Sequence, residues 1–396
     1  MDADVTESAG TPDGSKGEGS GGPAQRRRRR LLRWGALGAS VVVLAAAGAG
    51  WWLYRKLEGN ITTDTGTAAE LKRYERERPA PMVHDAENIL LIGSDSRADK
   101  NAKYGRDSGT QRSDTTILLH LAADRKSATA VSIPRDLMVE VPRCRAPGGN
   151  ENEGRFDQFN SAFELAGAAC TIRTVENLTG IRVDHHMIVD FTGFKRIVDA
   201  VDGVEVCLKE PMDDQEAHLK LPAGRQKLDG EEALGYVRAR YSLGNGSDTE
   251  RMERQQQFLG ALVKKVQSNG VLLNPARLYP VLDAATSSLT TDSGMDSLRE
   301  LYELVRSLRH IPTEKVQFMT LPRRPYSLNA NRDELAQPDA AQLFNLLRND
   351  LDVKVSSGPE GAQERKPGAS SDGPGGEPTG TAPTYKGTTA AGGTCG

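Results

Sequence analysis

Several kinds of chemistry leave no signature in this 396-residue chain. No Gly-x4-Gly-Lys-Ser/Thr loop occurs, which argues against a nucleotide-driven reaction. No Gly-x-Ser-x-Gly elbow points to acyl transfer through a serine. The formal net charge is -3, too close to neutral to argue for nucleic acid as a partner. Cysteine is scarce: of the four, Cys144, Cys170 and Cys207 lie in the body and Cys395 near the end. No two are closely spaced, which argues against metal binding by them. At least one disulfide in an oxidising exterior fits them, with three complete pairings open. His185 and His186 are adjacent, so in a strand they point to opposite faces and cannot chelate one ion together. A structural role is expected for both.

The two ends lack apolar residues. Met1–Gln25 is Gly, Ser and acidic residues, and Ser357–Gly396 holds 11 Gly and five Pro but no Leu, Ile, Val, Met or Phe. Neither stretch has enough apolar surface to offset the entropy of ordering, so disorder is expected over 1–34 and 351–396. Between Gly35 and Tyr54 run 20 residues without a charge. At 1.5 Å per residue that length covers a hydrocarbon layer of about 30 Å. Trp34 on one side and Trp51, Trp52 and Tyr54 on the other would form interfacial belts, and six arginines precede the span against Arg55 and Lys56 after it. That bias predicts a cytoplasmic amino terminus, a transmembrane helix over 35–54 and an exported body. A cleaved signal peptide is the rival, because Ala45–Gly50 supplies small residues. A connector over 55–84 should follow, and then one folded domain over 85–350.

Within that domain, three apolar runs each adjoin a charged cluster. Asn88–Ile92 leads into Gly93-Ser94-Asp95-Ser96-Arg97, Arg112-Ser113-Asp114 leads into Thr115–Leu121, and Ala128–Ile133 leads into Pro134-Arg135-Asp136. Paired antiparallel, as short connections favour, these strands would bring all three clusters to one rim of a sheet. Arginines present planar forks to phosphate oxygens, and aspartates suit the magnesium that bridges them. A phosphate or diphosphate site is therefore expected there. Polar turns at strand ends are the ordinary alternative for any one cluster taken alone.

Further along, Pro142–Asp157 reads as a polar loop and Phe159–Leu165 and Ile172–Leu178 as two short helices closed by Gly180. Ile181–Phe191 reads as a strand, Phe194–Val201 as a helix and Gly203–Cys207 as a strand. Alternating helices and strands give a layered α/β domain. Glu231–Arg238 is helical, and Arg238 and Arg240 share a face only if the chain leaves the helix between them. Ser247-Asp-Thr-Glu250 has the form of a capping box for a helix running to about Gln267. Asp248, Arg251 and Gln255 fall on the arc that Leu259, Leu262 and Val266 continue, with Arg254 at its edge, so charged residues of the first turns point inward. The helix start also favours an anion. Helices at Asn274–Leu289, Leu298–Leu308 and Asp339–Leu347 and a strand at Lys315–Leu321 complete the domain as packing elements.

These blocks together resemble the LytR-CpsA-Psr family of membrane-anchored cell-wall enzymes. The matching residues are Gly93-Ser-Asp95-Ser-Arg97, Arg112-Ser-Asp114-Thr, Ser132-Ile-Pro-Arg135-Asp136, Asp199–Val204, Tyr236-Val-Arg238-Ala-Arg240, and Asp248 through Arg251 to Arg254-Gln255-Gln256. The resemblance implies a mixed central sheet sandwiched between helices, with a long apolar pocket for a polyprenyl chain and a charged mouth for its diphosphate. It implies transfer of a phosphoglycopolymer from a polyprenyl-diphosphate carrier to a peptidoglycan hydroxyl at the cytoplasmic membrane, assisted by Mg2+. By the same resemblance Asp95 and Asp114 would hold the metal, and Arg112, Arg135, Arg238, Arg240 and Arg251 would bind the phosphates. Asp248 would orient the arginines, and Gln255 would support the site. A diphosphate hydrolase and a non-catalytic wall-binding or regulatory module remain as alternatives.

Overall fold

The computed structural model describes residues 23–94, 113–146, 149–239, 248–268, 274–356 and 383–392. Two units separate in it, Met1–Lys56 and Leu57–Gly396. Helix α1 spans Pro23–Asn60. Its Leu31–Asn60 portion is long and apolar enough to cross a membrane, and none of its best apolar window is buried against protein. The arginine run expected in a disordered tail is thus part of the helix.

The second unit is built on a mixed nine-stranded sheet. In chain order its strands are β1 (Thr62–Thr63), β2 (Glu87–Ser94), β3 (Ser113–Leu121), β4 (Ala128–Ile133), β5 (His185–Asp190), β6 (Leu289–Thr291), β7 (Val316–Thr320), β8 (Lys354–Ser356) and β9 (Thr384–Thr389). Their spatial order is β1-β6-β5-β2-β3-β4-β7-β9-β8. β2 pairs antiparallel with β3, and β3 with β4, as the apolar runs predict. β5 joins β2 in parallel and β7 joins β4 in parallel. These strands read as nearly continuous apolar runs because both faces of the sheet are covered.

On one face Leu90, Ile92, Leu118, Val131 and Ile133 pack against α3 (Ser161–Thr179) and α9 (Asp339–Arg348). On the other, Ile89, Ile117, Ala128 and Ala130 meet side chains of α6 (Asp248–Gln267) and α8 (Leu298–His310). A third core lies among α4 (Phe191–Ala200), α5 (Gly230–Arg238), α6 and two hairpins, 204–228 and 212–221. Two further α-helices among the described residues are α2 (Thr65–Arg73) and α7 (Pro275–Thr286). The α-β-α sandwich expected from the sequence is the observed fold.

Several boundaries differ from expectation. The connector over 55–84 is folded: β1 pairs with β6, and Asp64 caps α2 by accepting from the Thr67 amide at 3.0 Å. Arg78 grips buried Glu176, with Nη2 at 2.7 Å from Oε1. Charged residues there are spent on specific partners, which a composition argument cannot see. The polar loop over 142–157 contributes strands at 144–145, 151–152 and 155–158, the last paired with 138–141. The two helices expected within 159–178 are both there, as the halves of α3 on either side of non-helical Ala166 and Gly167, where Gly167 takes φ +66°; the second starts earlier than expected. Gly180 caps it in the left-handed region, where glycine is favoured. The strand expected over 181–191 is shorter, because Phe191 already opens α4 under an Asp190 cap. Cys144 and Cys170 form a disulfide, and Cys207 is disulfide-bonded as well.

The tail is the largest departure. β9, with no Leu, Ile or Val in it, inserts between β7 and β8. Tyr385 is buried in the first core and Ala390 in the second. At Gly387 an added Cβ would strike the Phe318 carbonyl, so the glycine permits a close strand approach.

Candidate active site

The rim where β2 ends and β3 begins is irregular in a way the sequence does not announce. Gly93 pairs with Thr115 and Ser94 with Ser113, so Asp114 is the extra residue of a β-bulge. A bulge turns one side chain out of the ladder, and bulges concentrate beside active sites. Buried Ser113 steadies the bulge through a 2.7 Å hydroxyl contact with Thr116.

Asp114 is met by Arg135 from the loop after β4, with Nη1 donating to Oδ1 at 3.1 Å. Arg135 Nε donates to Asp136 Oδ2 at 3.2 Å, and Arg332 Nη1 donates to Asp136 Oδ1 at 2.9 Å. Four charges therefore alternate along the rim, and all four side chains are between 19% and 32% exposed. Arg332 sits on the hairpin 323–335, which the backbone fixes to the same loop through Asp333 N to Asp136 O at 3.1 Å. Arg323 of that hairpin bonds Asp333 and Thr249, the second residue of α6. The start of α6 is thereby fastened to the rim.

The α6 side chains divide two tasks. Arg251 is 4% exposed and points inward, as its helical arc predicts. Gln255 Nε2 donates to Val237 O at 3.1 Å, and Arg254 Nη2 donates to Ala239 O. These two bonds hold the end of α5, where Ala239 is extended and stops the helix. Arg238 beside them lays its guanidinium over Phe191, 4.8 Å from the ring centroid. Arg254 is more buried than its position at the edge of the arc suggested, and burial pushes its guanidinium below the usual value. Gln256, buried on the next face, donates to Ser132 Oγ at 3.2 Å and Thr320 Oγ1 at 2.9 Å, pinning α6 to the ends of β4 and β7.

Asp95, Arg112 and Arg240 lie outside the described residues, as does the Ser247 cap; Asp248 opens α6, and its side chain is not described. Among the sequence-derived candidates, the described Asp114 and Arg135 are in contact, Arg238 and Gln255 belong to the α5–α6 junction, and Arg251 is buried at the start of α6. Arg323, Arg332 and Gln256 carry contacts that sequence reasoning did not assign. The first two follow from the observed sheet and not from the sequence: β7 runs parallel to β4, so the residues after it emerge at the same rim as Arg135. Among the described residues no three His, Cys, Asp or Glu side chains could hold a metal together. Magnesium commonly takes only one or two protein carboxylates and fills its shell with water and substrate phosphate, so Asp114 fits such an ion.

Below the rim, the sheet face toward α6 is not fully closed. Leu91 lies between buried Ile117 and Met187 yet is partly exposed, and so are Gly93, Thr115 and Val189 above it. Central strands normally bury such positions on both faces. The result is a mainly apolar strip of sheet leading to Asp114.

The LytR_cpsA_psr family model matches residues 57–349. "Cell wall biosynthesis protein LcpA" of Corynebacterium glutamicum is 34% identical over 313 residues, covering 72% of this chain. The chain spans 58% of the length of that relative. The "Polyisoprenyl-teichoic acid--peptidoglycan teichoic acid transferase TagT" of Bacillus subtilis is 28% identical over 327 residues, 79% of this chain and 92% of TagT. A solved structure titled "TagT bound to LIIa-WTA" superposes with a TM-score of 0.51 at 27% identity, over 68% of this chain and 91% of that one.

Proposed function

Because the chain belongs to the LytR-CpsA-Psr family, we propose that it is a wall-polymer transferase. It moves a glycopolymer from a polyprenyl-diphosphate carrier to peptidoglycan on the outer side of the cytoplasmic membrane. The observation that carries this reading is the pairing of the Asp114–Arg135 rim with the partly exposed apolar strip at Leu91. A polyprenyl diphosphate needs both, a charged seat for its head and apolar cover for its tail.

In the reaction, the acceptor hydroxyl oxygen attacks the sugar-linked phosphorus. A new P–O bond forms, the P–O bond to the polyprenyl phosphate breaks, and the hydroxyl proton passes to Asp114 or Asp248 as the base. Such transfers are accelerated chiefly by placement and charge neutralisation. Arg135, Arg238 and Arg251, joined by Arg112 and Arg240, supply positive charge to the diphosphate. Gln255 and Arg254 keep the end of α5, and with it Arg238, in place. Asp248 at the start of α6 is assigned to orienting the arginines. Mg2+ held by Asp95 and Asp114 would add charge neutralisation on the leaving phosphate. The arginines before Leu31 support a cytosolic amino terminus, with α1 as a single-pass anchor.

The test is incubation of the purified full chain in detergent with polyprenyl-diphosphate glycan, peptidoglycan fragments and Mg2+, followed by mass spectrometry. A joined product is expected, and Asp114→Asn should reduce its rate on the order of 10²-fold. Free phosphorylated glycan as the sole product, in the presence of acceptor, would refute transfer and favour a hydrolase.

A further inference from the structure

We propose that Arg332 is a positioning residue that keeps Arg135 available to the diphosphate by dividing the charge of Asp136; this rests on the function proposed above. Asp136 offers one carboxylate oxygen to each arginine, Oδ2 to Arg135 and Oδ1 to Arg332. Arg135 is also held by Asp114 from the other side. An arginine flanked by two carboxylates is close to neutralised, and a neutralised arginine binds phosphate weakly. Arg332 changes that balance, because the negative charge of Asp136 is committed in part to a second cation.

Geometry ties the two arginines together independently of charge. Arg332 comes from a hairpin whose neighbouring residue, Asp333, bonds the Asp136 carbonyl and forms a bridge with Leu137. The Arg323–Thr249 bond and the Asp333 N to Asp136 O bond anchor the same hairpin without the Arg332 side chain. Loss of the Arg332 side chain therefore leaves the hairpin attached and acts mainly through Asp136. With Arg332 gone, Asp136 can turn both oxygens onto Arg135 in the two-pronged geometry that arginine and carboxylate favour. The guanidinium is then drawn toward Asp136 and away from the substrate.

This makes a prediction that a merely structural role does not. Arg332→Gln should weaken binding of geranyl diphosphate about fivefold, within the coupling expected for residues in one charge network. Adding Asp136→Asn to that variant removes the competing carboxylate and should restore affinity to within about twofold of the parent. Arg332→Lys keeps the charge and should stay near the parent. The measurement is calorimetric titration of the full chain in detergent, with thermal melting of each variant as the folding control and Arg135→Ala as the reference for the site. If Arg135→Ala weakens binding but Arg332→Gln does not, or if Asp136→Asn fails to rescue it, the inference is wrong. If Arg135→Ala itself leaves binding unchanged, the diphosphate reading falls and the inference with it.

Discussion

Tyr385→Ala tests whether the carboxyl-terminal strand is an integral part of the domain. Tyr385 is 6% exposed in the core that also holds Ile92, Val131, Met319 and Leu343. It lies on β9 between β7 and β8, with its hydroxyl 3.4 Å from the Asp339 carbonyl, a long bond of little strength. The cost of truncation is thus mainly lost burial and the cavity left behind, about 3 kcal/mol for an aromatic side chain replaced by alanine. At about 2 °C per kcal/mol for a domain of this size, the melting temperature should fall by roughly 6 °C. Urea unfolding of the 57–396 unit, followed by circular dichroism, measures the difference directly. β9 also touches the site helix: Lys386 pairs with Glu253 at 2.6 Å, and Gly260 of α6 faces the Cα of Ala390. A fall in transferase rate should accompany the fall in stability. A change below about 0.5 kcal/mol, the range of ordinary surface substitutions, would show that the strand does not pack there and refute the reasoning.

Other outcomes follow from the same structure. The Cys144–Cys170 bridge spans 26 residues, so Cys144→Ser/Cys170→Ser should lose about 3 kcal/mol by equilibrium unfolding, and an unchanged midpoint would contradict its structural role. Burial pushes the Asp64 carboxyl up, but the His186 and Thr67 hydrogen bonds outweigh it and bring it down to about 2. A depressed carboxyl stabilises the fold above its unfolded value of 3.8 and loses that contribution as pH falls toward about 2. The shift corresponds to about 2 kcal/mol. Asp64→Asn should therefore flatten the stability profile between pH 5 and pH 2, roughly the window set by that linkage; an equally steep profile would place the acid sensitivity elsewhere.

How much of this the residues disclosed depends on the range of the interactions. The β2–β3–β4 meander was legible because each run is apolar, short and joined to the next by polar residues, so pairing and rim position followed from local rules. α6 was legible in extent and in the inward aim of Arg251, since helical spacing is fixed by geometry. Its burial on the remaining sides, at Arg254 and Gln256, depends on which strands it crosses, and spacing alone does not contain that. The folded stretch 62–78 and the strand at 384–389 were missed for a common reason: both are poor in large apolar residues and gain their place through backbone pairing and a few specific contacts. Arg332 could be placed only after β7 was known to run alongside β4.

The rim that holds Asp114, Arg135 and Arg332 is assembled from strand ends, starting at Ser94 and finishing beyond Thr320. No fragment shorter than the span from Ser94 to Arg332 can reproduce it. Local opening of any one of these strands would disperse the charges before the remainder of the sheet unfolds. Catalytic competence should therefore vanish with, or before, the loss of secondary structure, and proteolytic pieces of the domain should retain none of it.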